Sequence, residues 1–174
     1  MATFIAYGCG KRNHDFTLRT EDYKSVFEAN LVKGRIFSAS DYEFVNCKTS
    51  KKELHKVGKV VTKSSGNDNT AIRTVTDSYF KIDKVNVFDL LREKGYFLKM
   101  SGKGLLKSEV SLYTNSNKEV ATLKLNEKGP RQENVSGIGN TQRNTVITTE
   151  LDDLEVIFLA AFIMSKVEVS TRLL

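Results

Sequence analysis

The chain has 174 residues, of which 40% are hydrophobic and 28% charged, with 11 glycines, one proline and a formal net charge of +6. This composition excludes a disordered or collagen-like polymer, and the length leaves no room for two independent cores, so a single domain is expected. Composition by itself names no ligand and no reaction.

The amino-terminal stretch Met1-Ala2-Thr3-Phe4-Ile5-Ala6-Tyr7 is too short and lacks the basic start of a secretory signal, and Ala2 excludes the myristoylation signal. A cytoplasmic protein is expected, with Cys9 and Cys47 as reduced thiols rather than a disulfide. In that setting the glycosylation sequon Asn134-Val135-Ser136 reads as a chance match.

In chain order, β-branched and aromatic runs at 3–7, 16–19, 35–37, 42–46, 57–62, 71–75 and 79–82 predict strands. The stretch 64–70, Ser-Ser-Gly-Asn-Asp-Asn-Thr, predicts an exposed hairpin tip. A short helix fits 87–94, with Asn86 as its N-cap and Gly95 where helices end in left-handed backbone. Strands follow at 96–100 and 109–114, and 120–125 alternates with the period of two of a half-buried strand. Asn115-Ser116-Asn117 predicts a hairpin turn, 126–144 a loop or irregular strand, and 145–149 a return to the sheet.

From Asp152 the pattern changes. Asp152 and Glu155 have capping-box spacing, acids fill the first turn and Lys166 the last, which predicts a helix over about 152–166. Its run from Val156 to Met164 is apolar in every direction around the axis, so it must be buried on all sides. The run is nine residues long, well short of the roughly 20 that span a bilayer. Since the rest of the chain reads as strands, the simplest cover is a curled sheet. Strands about 4.8 Å apart, tilted about 40° and lying about 10 Å from the helix axis close around it at roughly ten to twelve. The alternative, a helix on one face of an open sheet, would leave half of its side chains wet unless a partner chain covered them.

The hairpin Val110-Ser111-Leu112-Tyr113-Thr114-Asn115-Ser116-Asn117-Lys118-Glu119-Val120-Ala121-Thr122-Leu123, and the passage from Thr145 to Glu168 in which a strand enters an acid-capped apolar helix, together resemble the tubby C-terminal-like superfamily. Its members include tubby proteins, phospholipid scramblases and LURP-one-related proteins. The resemblance covers about a quarter of the chain. It implies a mainly β fold, a single closed antiparallel barrel of about twelve strands around a central C-terminal hydrophobic helix. It also implies association with membrane lipid, without a motif that transfers a binding residue. One departure is that Val167-Glu168-Val169-Ser170-Thr171-Arg172-Leu173-Leu174 alternates like one more strand after the helix.

Lys48, Lys51, Lys52, Lys56, Lys59 and Lys63 lie within sixteen residues and are opposed only by Glu53. If 48–62 forms two strand ends and a turn, several of these ammonium groups face one way and make a candidate site for anionic lipid. A solvated strand edge is the plain alternative. Nucleic acid is disfavoured because the run holds no aromatic residue for base stacking. Gly8-Cys9-Gly10-Lys11 lacks P-loop spacing.

Catalytic raw material is thin. His14 and His55 stand far apart, Cys9 near His14 has no context as a nucleophile, and Asp152, Asp153 and Glu155 are explained by the helix start. No spacing suggests a metal site, and no cofactor is called for. The expected function is a non-enzymatic module that binds anionic membrane lipid through the lysines, phosphatidylserine or phosphoinositide. The alternatives are a protein-interaction scaffold contacting partners through loops such as 64–70 or 126–144, and, less favoured, a nucleic-acid-binding protein.

Overall fold

The computed structural model describes residues 1–8, 15–35, 37–58, 80–100, 109–128 and 143–172. Among them are eleven strands and two helices. The strands are β1 (Ala2–Tyr7), β2 (Phe16–Thr20), β3 (Ser25–Lys33), β4 (Ser40–Asn46), β5 (Lys51–Val57), β6 (Lys81–Ile82), β7 (Val85–Asn86), β8 (Tyr96–Met100), β9 (Glu109–Thr114), β10 (Glu119–Lys128) and β11 (Arg143–Thr149). The helices are α1 (Val87–Glu93) and α2 (Leu154–Arg172). All strands join one antiparallel sheet in the order β7-β6-β5-β4-β3-β2-β1-β11-β10-β9-β8. The sheet's two ends, β7 and β8, are adjacent in the chain, with α1 between them.

The core is built on α2. Every residue from Val156 to Ser165 is buried, as the absence of a polar stripe requires. Phe158 packs on Phe16, Phe27 and Phe44, and Phe162 on Phe16, Tyr42 and Phe44, with ring centroids 4.2–5.9 Å apart. Strands β2, β3 and β4 thus supply one wall, while Leu112, Leu123 and Ile147 bring β9, β10 and β11 into the same cluster. The mainly β architecture around a buried C-terminal helix is therefore present. Closure into a barrel of about twelve strands is not seen: among the described residues the sheet has eleven strands, and no pairing joins its end strands β7 and β8.

The helix departs from expectation at both ends. Its cap is Asp153, one residue later than the Asp152 box: Asp153 Oδ1 accepts the N–H groups of Glu155 (3.1 Å) and Val156 (3.3 Å). At the other end the predicted strand after Lys166 is instead helix as far as Arg172. No glycine or proline stops the helix there, and adding residues to an existing helix costs far less than nucleating a new element, even for β-branched ones. Lys166 consequently sits inside the helix, where its ammonium donates to the Tyr42 hydroxyl (3.1 Å) and lies over the Tyr42 and Phe162 rings.

Two strand predictions also change. Residues 35 and 37 belong to the connection between β3 and β4 rather than to a strand, and the strand is β3 itself, at Ser25–Lys33. Phe27 and Ala29 face the core and alternate with Glu28 and Asn30, but apolar Val26 and Val32 on the outer row blur that period. Of the run at 57–62, Val57 is the last residue of the polar strand Lys51–Val57, Gly58 follows the strand, and 59–62 lie outside the described residues. The expectations at 64–70, 71–75 and most of 126–144 lie outside the described residues.

Local chemistry closes the turns. Asn86 Oδ1 accepts from the N–H groups of Phe88 (2.9 Å) and Asp89 (3.2 Å), capping α1 as expected. Gly8, at the end of β1, has φ +85°, and a Cβ built there would lie 2.2 Å from the Asp15 carbonyl oxygen. Gly8→Ala is therefore expected to destabilise the protein by at least about 2 kcal/mol, combining left-handed strain with a backbone clash. Thermal melting of the variant checks this, and an unchanged midpoint would refute it.

Candidate functional site

Strand β5 decides where the lysines go. A strand sends successive side chains to opposite faces, so Lys51, Glu53, His55 and Val57 share one face and Lys52, Leu54 and Lys56 the other. Val57 is buried in the core and Leu54 is 70% exposed, so the first row faces inward and the second outward. The sequence cluster is thereby divided. Lys52 and Lys56 project outward beside Leu54, Lys48 is exposed in the β4–β5 turn, and Lys51 turns inward. Lys59 and Lys63 lie outside the described residues. The outer surface is mixed, with Asp41 and Glu43 of β4 opposite Lys56 and Leu54. Asp41 is held by Arg35 at 2.8 Å, and that guanidinium keeps its carboxyl below the ordinary carboxylate range.

Further apolar groups are exposed on β3 and in the connection after it. Val32 of β3 is 60% exposed, and Phe37, in the connection that follows it, is 98% exposed. Solvent-facing cations and large apolar side chains thus occur together on the β3–β5 part of the sheet.

The inner row borders a cleft of about 230 Å³ between β4, β5, the β6–β7 hairpin, α1 and the start of α2. Its floor is apolar, formed by Phe27, Phe44, Ile82, Leu90, Phe158 and Leu159. The polar edge is organised by the hairpin turn, where Asp83 and Lys84 both have positive φ (51° and 68°), the geometry of a two-residue turn matched to strand twist. That conformation turns the Asp83 carboxylate back on β5, so Oδ1 accepts the Lys56 N–H (2.8 Å) and Oδ2 lies 2.5 Å from His55 Nδ1. The other ring nitrogen, Nε2, is 3.3 Å from Glu53, which also takes the Lys51 ammonium at 2.9 Å. Glu155 lies near enough to Lys51 to favour its charged form and pairs with Lys94 at 3.8 Å.

The sequence offered no partner for His55; Asp83 is 28 residues away and Glu53 two. The available signal was a strand whose alternate residues Lys51, Glu53 and His55 are polar on the face that ends in Val57. In a Ser-His-Asp arrangement the second histidine nitrogen faces a nucleophile; here it faces a carboxylate, and the geometry is that of a clasp. Cys9 and His14 lie outside the described residues. Burial pushes the Cys47 thiol pKa up, away from thiolate chemistry. Among the described residues no group of three or more His, Cys, Asp and Glu side chains is placed to hold a metal ion. No helix there is long and apolar enough to cross a membrane.

The clasp gives a pH dependence. Burial opposes ionisation of Asp83, but the Lys56 N–H and the His55 contact outweigh it, so its folded pKa is lowered. The Lys51 and His55 contacts lower that of Glu53 against a smaller effect of burial. A depressed carboxylate pKa stabilises above the unfolded value of about 4, and the contribution disappears as pH falls through the folded value. Asp83→Asn is therefore expected to cost about 0.2–1 kcal/mol near pH 7, the range for solvent-screened pairs. The gap should close in acid, as pH falls below the unfolded carboxylate value and through the lowered folded value of Asp83. Denaturant titrations at neutral and at acid pH check this, and a gap that stayed constant would exclude an electrostatic role.

Comparison with protein-family models, curated proteins and solved structures found no match.

Proposed function

We propose that the protein is a non-enzymatic binding module of the tubby-like kind, a closed barrel around α2, that attaches to anionic membrane surfaces through the outer face of β5. The observation that carries this reading is the outward row Lys52-Leu54-Lys56, in which an exposed leucine stands between two exposed lysines. Lysines near an anionic leaflet contribute about 1 kcal/mol each. Leu54, with Val32 and Phe37, supplies apolar surface that enters the headgroup region, so charge and hydrophobic burial act together. Two such contributions are what reversible peripheral attachment needs.

Co-sedimentation of the protein with zwitterionic vesicles and with phosphatidylserine- or phosphoinositide-containing vesicles tests it, at about 0.15 M salt where the Debye length is near 8 Å. Selective pelleting with the anionic vesicles, weakening as salt rises, is expected. Equal behaviour with both kinds of vesicle would overturn the reading and favour a protein partner for Val32, Phe37 and Leu54.

A further inference from the structure

The cleft on the inner side of β5 has a property that its separate contacts conceal. Followed around its mouth, each ionisable group meets a partner in the next: Asp83, His55, Glu53, Lys51, Glu155, Lys94. Four elements contribute to this line, namely the β6–β7 turn, β5, the first turn of α2 and the end of α1. Three carboxylates thus face three basic groups. Below them the floor is hydrocarbon and aromatic ring, with Phe44 also in contact with the His55 ring at 4.6 Å between centroids.

We infer that this cleft is a binding site for a small uncharged aromatic molecule. Pairing is the first reason. A ligand with net charge would give up hydration over the apolar floor and find each carboxylate and ammonium of the line already engaged. A neutral ligand disturbs none of them. The second reason is size. At about 230 Å³ the cleft is larger than the roughly 150 Å³ apolar cavity that admits benzene. It is smaller than the roughly 300 Å³ at which drug-sized pockets begin. It therefore suits one ring with a short substituent. The third is the polar group left for orientation. Asn46 lines the cleft, and its carbonyl oxygen already accepts the N–H groups of Lys48 (3.0 Å) and Thr49 (3.3 Å). Its amide NH2 is the donor available to an acceptor atom on the ligand.

This site does not rest on the membrane reading, because it uses the opposite face of β5 and an uncharged ligand. The two can fail separately.

Three probes of nearly equal size and different charge provide the test: benzyl alcohol, benzylamine and benzoate. Each is titrated into the full chain while methyl NMR signals of Ile82, Leu90 and Leu159 are followed. Benzyl alcohol is expected to shift these signals saturably, with a dissociation constant on the order of 1 mM for so small a ligand. The two charged probes should bind at least about tenfold more weakly, and raising the salt should leave the benzyl alcohol affinity within about twofold, since no charge is exchanged. Leu90→Phe, which fills the cleft from α1, should abolish the shifts; Val85→Phe fills it from the exposed hairpin and replaces that variant if it does not fold. The inference is overturned if benzyl alcohol gives no saturable shift up to about 20 mM, twenty times the expected constant. It is overturned equally if either charged probe binds more tightly, or if a folded, filled variant binds as well as the wild type.

Discussion

Replacing Phe158 or Phe162 by alanine is expected to cost about 3–5 kcal/mol of folding stability, the range for emptying a buried aromatic site. Both rings are almost fully buried; Phe158 packs on rings from β2, β3 and β4, and Phe162 on one ring from β2 and two from β4. The cavity left by truncation would lie at the centre of the cluster that joins α2 to the sheet. There the surrounding strands cannot collapse without breaking their own register. Urea titration at neutral pH checks this, and a loss below about 1 kcal/mol would mean that the helix is not the core. A helix lying on the surface would tolerate the same change, so the size of the loss tests whether α2 is the core.

The second large effect concerns membrane attachment. Lys52→Glu combined with Lys56→Glu removes two cations, each worth about 1 kcal/mol near an anionic leaflet, and adds repulsion. Binding to phosphatidylserine vesicles should therefore fall at least about 30-fold, the equivalent of 2 kcal/mol. Both side chains are exposed on the outer face, so the variant should fold normally. Lys51→Gln is the informative contrast. Its ammonium is engaged with Glu53 on the inner face, so vesicle binding should change by less than about threefold even though the lysine lies one residue from Lys52. If both variants lost binding equally, the division of β5 into two faces would have no functional meaning.

The parts of the fold legible in the sequence were those where one local rule and the tertiary environment agree. The α2 run is apolar all round and is buried all round. Asn86 and Gly95 bound α1 because cap chemistry is local: the Asn86 oxygen takes the first N–H groups, and Gly95 supplies φ +98°. Asn117, with φ +67°, turns β9 into β10 for the same reason. The failures occur where tertiary context decides. β3 contains Glu28, Ala29 and Asn30, residues of low strand preference, and it is a strand because β2 and β4 pair with it on both sides. β5 inverts the usual pattern, since its central leucine faces water and its polar row faces inward, where the cleft and clasp accommodate it. Of the run's lysines within the described residues, Lys52 and Lys56 consequently project outward while Lys51 turns inward. Charge density along a sequence does not record which face of a strand each residue takes. Nor could the His55–Asp83 contact be foreseen, because it depends on β6 pairing with β5 and on the two-residue turn after β6 that aims Asp83 back at β5.

The most direct test of the account uses the fact that the chain has no tryptophan. Leu54→Trp places a single fluorophore at the centre of the outer row, between Lys52 and Lys56. On addition of phosphatidylserine vesicles its emission should shift to the blue and be quenched by brominated acyl chains, while zwitterionic vesicles leave it unchanged. If the protein pellets with anionic vesicles but the emission stays that of a tryptophan in water, a different surface makes the contact and the assignment of function to the outer face of β5 is wrong.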